Sequence, residues 1–299
     1  MKNKPTSIKY LASSIRRLLI MRLLQKKYLR LKCRLNSLGS VVIAFSGGLD
    51  SSVLAKVAFD CLGKNVIAVT AKSATYSSSD LKEALKMAKL IGIRHVIIRT
   101  DEFKNKKFIN NPPNRCYWCK RELFAKLRAL AGKYKIKNIL DGTNRDDSFD
   151  VRPGFAANKR FKVISPFLEC GVTKKDIKEL AKRLNIPLVK PANACLASRI
   201  SFYNAITLSK LERIEKAESI LRKHFASTGI LRARDHGNIL RIEIEKKEWT
   251  KFCNSGINNL VKKLKKTGYK YITFDLDGYI PAGLRAKRMA QSAQCKRFY

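Results

Sequence analysis

Residues 41–54 read VVIAFSGGLDSSVL. The apolar run VVIAF has the make-up of a central strand, and SSVLAKVAF that of the helix leaving it. Between them Ser46, Gly47, Gly48, Leu49, Asp50 and Ser51 form a tight loop. Backbone N–H groups of such a loop can point at an anion above the helix N-terminus, where partial positive charge gathers. Glycine suits the loop because a side chain would block close approach or forbid the backbone angles. No lysine completes G-x-x-x-x-G-K-[ST], and no third glycine completes G-x-G-x-x-G, so both of those phosphate loops are excluded. The plain alternative is a strand-to-helix turn capped by Asp50 or Ser51.

Outward from this stretch the same alternation recurs. A helix over 51–62 leads to NVIAVTA and a helix over 80–92, then HVIIRT and a helix over 120–134, then NILDGTN, FKVISP and a helix over 174–184. This pattern predicts an α/β fold, a Rossmann-like parallel sheet with helices on both faces. Ligands of such sheets bind at the carboxyl ends of the strands, so the polar ends of these runs are site walls. After Arg199 the pattern changes to a long helix over 208–225, the strands LRAR and ILRIEIE, a helix over 257–266 and the strand YITFDLD. Leu240, Ile242 and Ile244 alternate with Arg241, Glu243 and Glu245, as a strand with one buried face requires. The expected organisation is a basic amphipathic helix over 1–36, a nucleotide domain over 37–200 and a small α/β domain over 201–299.

The pattern S-G-G-x-D-S, after a strand and before a helix, is that of a pyrophosphate loop (PP-loop), which holds ATP for cleavage between its α and β phosphates. Cleavage there implies that AMP is attached to a substrate oxygen, making a good leaving group. Ser46, Gly47, Gly48, Asp50, Ser51 and Ser52 are the expected ATP contacts, with Asp50 placed to hold the bridging magnesium. Ser73 and Thr143, at the ends of their runs, join them. Thr173 to Asp176 reads as a T-x-x-D helix start, which puts Lys174 on a first turn near the same strand ends. It reaches a phosphate there or is one more solvated lysine.

The chain has 63 Lys and Arg against 23 Asp and Glu, a net charge of +40. Such a balance favours anionic partners, whether nucleotide, nucleic acid or membrane surface, unless it reflects lysine enrichment across the whole surface. No apolar run approaches the roughly 18 residues of a membrane span, and no signal peptide is visible. Eight cysteines are too sparse for a secreted disulfide framework, so a reducing, cytoplasmic location is expected. Residues 1–36 contain no Asp or Glu and carry Leu19, Leu23, Leu24, Leu31 and Leu35 at helical spacing. Transit peptides and membrane-surface helices share that pattern, but a basic helix packed beside the following domain is the expected reading.

Two segments offer thiols. In NRCYWCK, Cys116 and Cys119 are spaced for a metal, an iron–sulfur cluster or a redox pair. A structural zinc needs four ligands, and neither a second C-x-x-C nor a histidine pair is present. Cys195, in PANACLASR, follows the last helix of the first domain. Three thiolates leave one corner of a four-iron cluster open, which suits carriage of an extra sulfide. Cys33, Cys61, Cys170, Cys253 and Cys295 read as buried small apolar residues or incidental surface thiols.

The segments AFSGGLDSS, NPPNRCYWCKRELF, DGTNRDD, RPGFAA, SPFLECGVTKKDI, KPANACLASRI and LRARDHGNILRIEI, in this order from about residue 37 to 280, resemble the LarE family. Its members are ATP-dependent sulfur transferases that help build the nickel-pincer nucleotide cofactor. The resemblance implies adenylation of a carboxylate of pyridinium-3,5-dicarboxylate mononucleotide, release of pyrophosphate, and replacement of AMP by sulfur to leave a thiocarboxylate. In one branch the sulfur comes from a cysteine matching Cys195, which ends as dehydroalanine. In another, cysteines matching Cys116, Cys119 and Cys195 hold a [4Fe–4S] cluster that carries a sulfide. The presence of both C-x-x-C members favours the cluster branch.

By the same likeness Arg232 and Arg234 meet the substrate's phosphate, and Ser198 and Arg199 are further substrate contacts. Alternate residues on a strand face one way, so both guanidinium groups could grip one anion; the alternative is a solvated strand face. A homo-oligomer is implied, with a small-molecule nucleotide as partner and an unidentified partner that reloads the sulfur. SFYNAIT lacks a glycine of the family pattern, and DLDGYIPAGLRAKR departs from its usual ending. The runner-up is a PP-loop tRNA thiolase, which the charge would suit but for which no RNA-binding module or zinc ribbon appears. A catalytically silent anion-binding protein is a third reading. An ammonia-using amidotransferase-type synthetase needs no trio of thiols.

Overall fold

The computed structural model describes residues 6–149, 154–187, 194–225 and 229–280. Parts of the segments RPGFAA, KPANACLASRI and DLDGYIPAGLRAKR, and Cys295, lie outside the described residues. Strands β1 (Val41–Ala44), β2 (Val66–Lys72), β3 (Arg94–Arg99) and β4 (Asn138–Leu140) form a parallel sheet in the order β3-β2-β1-β4. Helices α1 (Thr6–Leu38), α2 (Leu49–Leu62), α3 (Ser78–Ile91), α4 (Lys106–Ile109), α5 (Arg115–Lys133), α6 (Phe155–Arg160), α7 (Pro166–Glu169) and α8 (Lys174–Arg183) surround it.

The period of two along each strand divides the core. Val41 and Ile43 of β1, with Val66 and Ala68 of β2, pack against α1, α2, α3, α7 and α8. Val42, Ile67 and Val69 face the opposite layer, against Phe124, Leu127 and Ala131 of α5 and Ala157 of α6. The near-continuous apolar runs follow from burial on both faces.

The segment FKVISP does not form the expected strand. Ile164 makes only an isolated parallel bridge to Leu140. Lys162 ahead of it stands at φ 50°, and Pro166 behind it opens α7, so extended backbone has no room to continue.

From Leu24 onward α1 packs on the sheet's helical layer through Leu24, Leu31 and Leu35. Lys27 reaches Asp176 at 2.6 Å and Arg34 reaches Glu169 at 2.8 Å. Asp176 also completes a capping box with Thr173 at the start of α8. Burial pushes the Asp176 carboxyl up, but Lys27 and the Thr173 amide and hydroxyl outweigh it and hold the group below its ordinary value. A folded value below the unfolded one stabilises above the unfolded pKa, and the contribution is lost as pH falls through the folded one. Asp176→Asn should therefore cost about 1 kcal/mol at pH 7, solvent screening included. In urea melts the gap from wild type should close as pH falls through and below the ordinary carboxylate range.

The second unit comprises α9 (Leu208–Phe225), β5 (Leu231–His236), β6 (Ile239–Ile244), α10 (Trp249–Cys253), α11 (Ile257–Lys265) and β7 (Tyr271–Phe274). Its sheet runs β5-β6-β7, antiparallel then parallel. Leu240, Ile242 and Ile244 are buried as the alternation predicts. Glu243, on the face expected to be solvated, is fully buried as well, where Arg234 and Arg241 neutralise it at 2.9 and 3.0 Å. Between the two units lies a further apolar cluster of Phe108, Leu196, Ala197, Ile200, Ile206, Leu211 and Ile214. Cys119 and Cys195 pack against it, which brings two thiols distant in sequence to one wall.

Candidate active site

At the carboxyl end of β1 the chain turns through Ser46, Gly47 and Gly48 into α2, whose N-cap is Gly48. Neither Asp50 nor Ser51 is the cap; both sit in the first turn, and no side chain caps the helix. The turn is braced internally. Ser46 Oγ lies 3.1 Å from Ser51 Oγ, the Gly48 amide donates to Ser46 Oγ at 3.3 Å, and Ser51 Oγ donates to the Gly48 carbonyl at 3.1 Å. Ser52 is fully buried and its hydroxyl makes no hydrogen bond, an orphaned donor beneath the turn. A 14-residue helix opening on an uncapped turn makes this turn a candidate anion cradle.

Gly47 has φ +69°, and a Cβ there would stand 2.5 Å from Ala84 Cα in α3. Gly48, at φ −73°, adopts an angle open to any residue, so backbone conformation does not demand glycine at that position. Gly47→Ala should destabilise the fold by about 2 kcal/mol or more, since strain and a backbone clash add. It should also weaken ATP binding, as read by calorimetry beside a thermal melt.

The turn after β4 closes the opposite wall. A Cβ on Gly142 would lie 3.1 Å from the Ser51 amide nitrogen, so this loop rides directly on the first turn of α2. Asn144 Nδ2 donates to Asp50 Oδ2 at 3.2 Å. Thr143 is turned inward, its Oγ1 donating to Asp141 Oδ2 at 2.8 Å. Lys174 is half exposed, with Nζ 3.0 Å from Asp147 Oδ1 and its amide on Asp146 Oδ2 at 2.7 Å. One first-turn carboxylate at a phosphate cradle fits magnesium, which takes one or two carboxylates and completes its shell with phosphate and water.

The loop after β2 joins this cradle to Cys195. Ser73 and Thr75 share a hydrogen bond at 2.9 Å. Tyr76 OH donates to the Ser46 carbonyl at 2.7 Å, and the Leu196 amide donates to the Thr75 carbonyl at 2.9 Å. Consecutive residues thus hold the glycine turn on one side and the neighbour of Cys195 on the other. Burial, then Asp80, raises the Tyr76 phenol far above its ordinary pKa, so it remains a donor.

Arg199 clamps the same thiol loop. It is 1% exposed, with Nε 2.8 Å from Glu218 Oε1 and Nη2 3.2 Å from Oε2. Its Nη1 donates to the Ala194 carbonyl, to that of Cys195 at 3.1 Å and to Ser198 Oγ at 2.9 Å. Arg199 thus holds the backbone around Cys195 rather than presenting its guanidinium to solvent.

Arg234 donates to the Ser198 carbonyl at 2.7 Å and to Glu243 at 2.9 Å. Arg232 donates to the Leu231 carbonyl at 2.8 Å and lies over the Tyr279 ring. The two arginines therefore do not stand as a bare fork for one anion. Burial, and then Arg199, pushes Arg232 down to about 10, so it stays cationic at neutral pH. A cavity of about 900 Å³ borders Arg199, Ala194 and Leu196, and its lining is of mixed charge, with Arg222, Lys263 and Lys266 beside Asp80, Glu212 and Glu215. That volume lies in the range of small-molecule sites.

Cys119 donates to Glu102 Oε1 at 3.7 Å. Burial raises the Cys119 thiol well above its ordinary value, and Glu102, Cys195 and Cys116 add to the shift, so it is a neutral thiol at neutral pH. Cys116 is exposed and Cys195 partly exposed. The trio shares one neighbourhood, yet among the described residues no three His, Cys, Asp or Glu side chains stand in metal-holding geometry. Asn144, Thr75, Tyr76 and Glu218 were not singled out from the sequence. Asn144 lies in DGTNRDD, while the others act through tertiary contacts with no motif of their own.

Residues 23–141 match the family model described as NAD synthase. Over 259 residues the chain is 37% identical to an uncharacterised protein of Synechocystis sp., covering 86% of this chain and 96% of that one. An uncharacterised protein of Methanocaldococcus jannaschii is 35% identical over 85% and 97% of the respective chains. The pyridinium-3,5-bisthiocarboxylic acid mononucleotide synthase of Lactiplantibacillus plantarum is 30% identical over 86% and 92%. With that likeness running through both units and a pyrophosphate loop at the end of β1, the chain belongs to the LarE family of ATP-dependent sulfur transferases, in the PP-loop superfamily.

Proposed function

We propose that the protein uses ATP to adenylate a carboxylate of pyridinium-3,5-dicarboxylate mononucleotide and then exchanges AMP for sulfur passed through Cys195. The observation that carries this reading is the loop from Ser73 to Ser77, which bonds the glycine turn through Tyr76 and the Cys195 segment through Thr75. An acyl adenylate formed at the cradle would then meet a thiol without leaving the cleft.

In the first step a substrate carboxylate oxygen attacks the α phosphorus and pyrophosphate departs into the cradle of residues 46–51. The α2 N-terminus offsets its charge. Asp50 would hold magnesium, which supplies charge neutralisation across the phosphates. In the second step sulfur adds to the acyl carbon and AMP leaves. If the sulfur is that of Cys195, a thioester forms first. Loss of the Cα proton then breaks the Cβ–S bond, giving the thiocarboxylate and dehydroalanine. Arg199 fixes the Cys195 backbone, while Arg232, which stays cationic, and Arg222, Lys263 and Lys266 of the adjoining mixed-charge cavity are the groups that suit the substrate's phosphate.

The test is incubation of anaerobically purified protein with ATP, magnesium and the dicarboxylate mononucleotide, measuring pyrophosphate and thiocarboxylate by mass spectrometry. Iron and sulfide are measured on the same sample to establish whether a cluster or the cysteine itself supplies sulfur. Stoichiometric pyrophosphate with thiocarboxylate is expected. Thiolation of tRNA with no reaction of the mononucleotide would instead make the protein a tRNA thiolase, and failure to release pyrophosphate with either would make it a silent anion binder.

A further inference from the structure

Among the described side chains of α1, Leu24 is the first to be buried. Ahead of it Ile15, Leu18, Leu19, Ile20, Met21 and Leu23 stand between 43% and 59% exposed. A stretch of helix that is apolar on most faces is normally covered, and a contiguous exposed apolar surface marks an interaction site. The same region carries one sign of charge: residues 1–36 hold eleven Lys and Arg and no Asp or Glu. Exposed Arg22, Lys26 and Arg30 continue the stripe toward the body. There a shallow groove of about 420 Å³ opens between Leu29, Arg30, Cys33 and Arg34.

We infer that the N-terminal half of α1 is an interfacial helix that seats the protein on an anionic lipid surface. Charge selects the occupant. A second copy of a chain of net charge +40 would set like charges against an acid-free stripe. A nucleic acid would satisfy the cations but leave the leucines in water. An anionic bilayer meets both demands, with leucine and isoleucine in the acyl boundary and Lys and Arg stems snorkelling to the headgroups. No described helix is long and apolar enough to cross a membrane. Residues 6–23 therefore lie in the interface plane, over roughly 27 Å.

The experiment is flotation of the full chain with vesicles of phosphatidylcholine alone and of phosphatidylcholine with about one third phosphatidylserine. Binding to the anionic vesicles is expected at least about tenfold tighter than to the neutral ones, and it should weaken as salt rises. Leu19→Glu/Leu23→Glu should cut it about tenfold or more. The melting temperature and ATP-dependent pyrophosphate release of that variant should match wild type, since both positions lie outside the core.

No flotation on anionic vesicles, equal flotation on neutral ones, or indifference to the double substitution would overturn the inference. So would self-association without lipid binding that the same variant abolishes, which would make the face a contact between copies. Retention of tRNA without lipid binding, also lost in the variant, would make it a nucleic-acid surface.

Discussion

Asp50→Ala should abolish substrate-dependent release of pyrophosphate, by about a thousandfold or more, because the carboxylate in the first turn of α2 is the one proposed to hold magnesium. The fold should survive. Asp50 lies in the first turn of α2, and removing it forfeits its favourable interaction with the helix N-terminus and the hydrogen bond from Asn144. That loss is about 1 kcal/mol. Formation of the AMP–substrate adduct fails with it, so no thiocarboxylate appears even when Cys195 is intact. A variant that still transfers AMP to the carboxylate at near the wild-type rate would remove Asp50 from the magnesium role and return the turn to a structural one.

Cys195→Ala should separate the two halves of the reaction. Pyrophosphate release and the acyl adenylate persist, while thiocarboxylate falls to background. The geometry predicts this split because the cradle and the thiol are held by different residues of the same loop, Tyr76 for Ser46 and Thr75 for Leu196. Cys195 is partly exposed and packs at the edge of the inter-unit cluster, so its truncation leaves only a modest gap. Unchanged thiocarboxylate yield would refute the assignment. Cys116→Ala and Cys119→Ala then report whether the trio acts as a unit. Equal losses at all three positions would point to shared carriage of sulfur, and loss at position 195 alone to the cysteine's own sulfur.

The pyrophosphate turn, its flanking strand and helix, and the parallel sheet were legible because their signals are local: apolar runs of strand length, glycines at a fixed offset, and a polar first turn. FKVISP misled because its apolar content is that of a strand, whereas Lys162 at positive φ and Pro166 at a helix start confine the extended backbone to one bridge. The T-x-x-D box at Thr173 was read correctly, capping being a four-residue matter.

Arg199 shows where residue type fails as a guide. Nothing in CLASRI reveals that its guanidinium is taken up by Glu218, nineteen residues on in α9, and by the carbonyls beside Cys195. The bridging of Ser73 to Ser77 between the glycine turn and the Cys195 segment was equally hidden, since it works through main-chain carbonyls and a tyrosine hydroxyl. Glu243 broke the strand alternation because two arginines on neighbouring positions of the sheet outweigh its preference for water.

The central claim is that the glycine turn and Cys195 face one cleft, and cross-linking tests it most directly. Ser46 is exposed at the turn, so a Ser46→Cys chain can be treated with a short bis-methanethiosulfonate and its linked peptides mapped by mass spectrometry. The account predicts a link between position 46 and Cys195 that ATP with magnesium suppresses. A turn thiol that links elsewhere or stays singly capped, while Cys195 reacts only with free reagent, would contradict it.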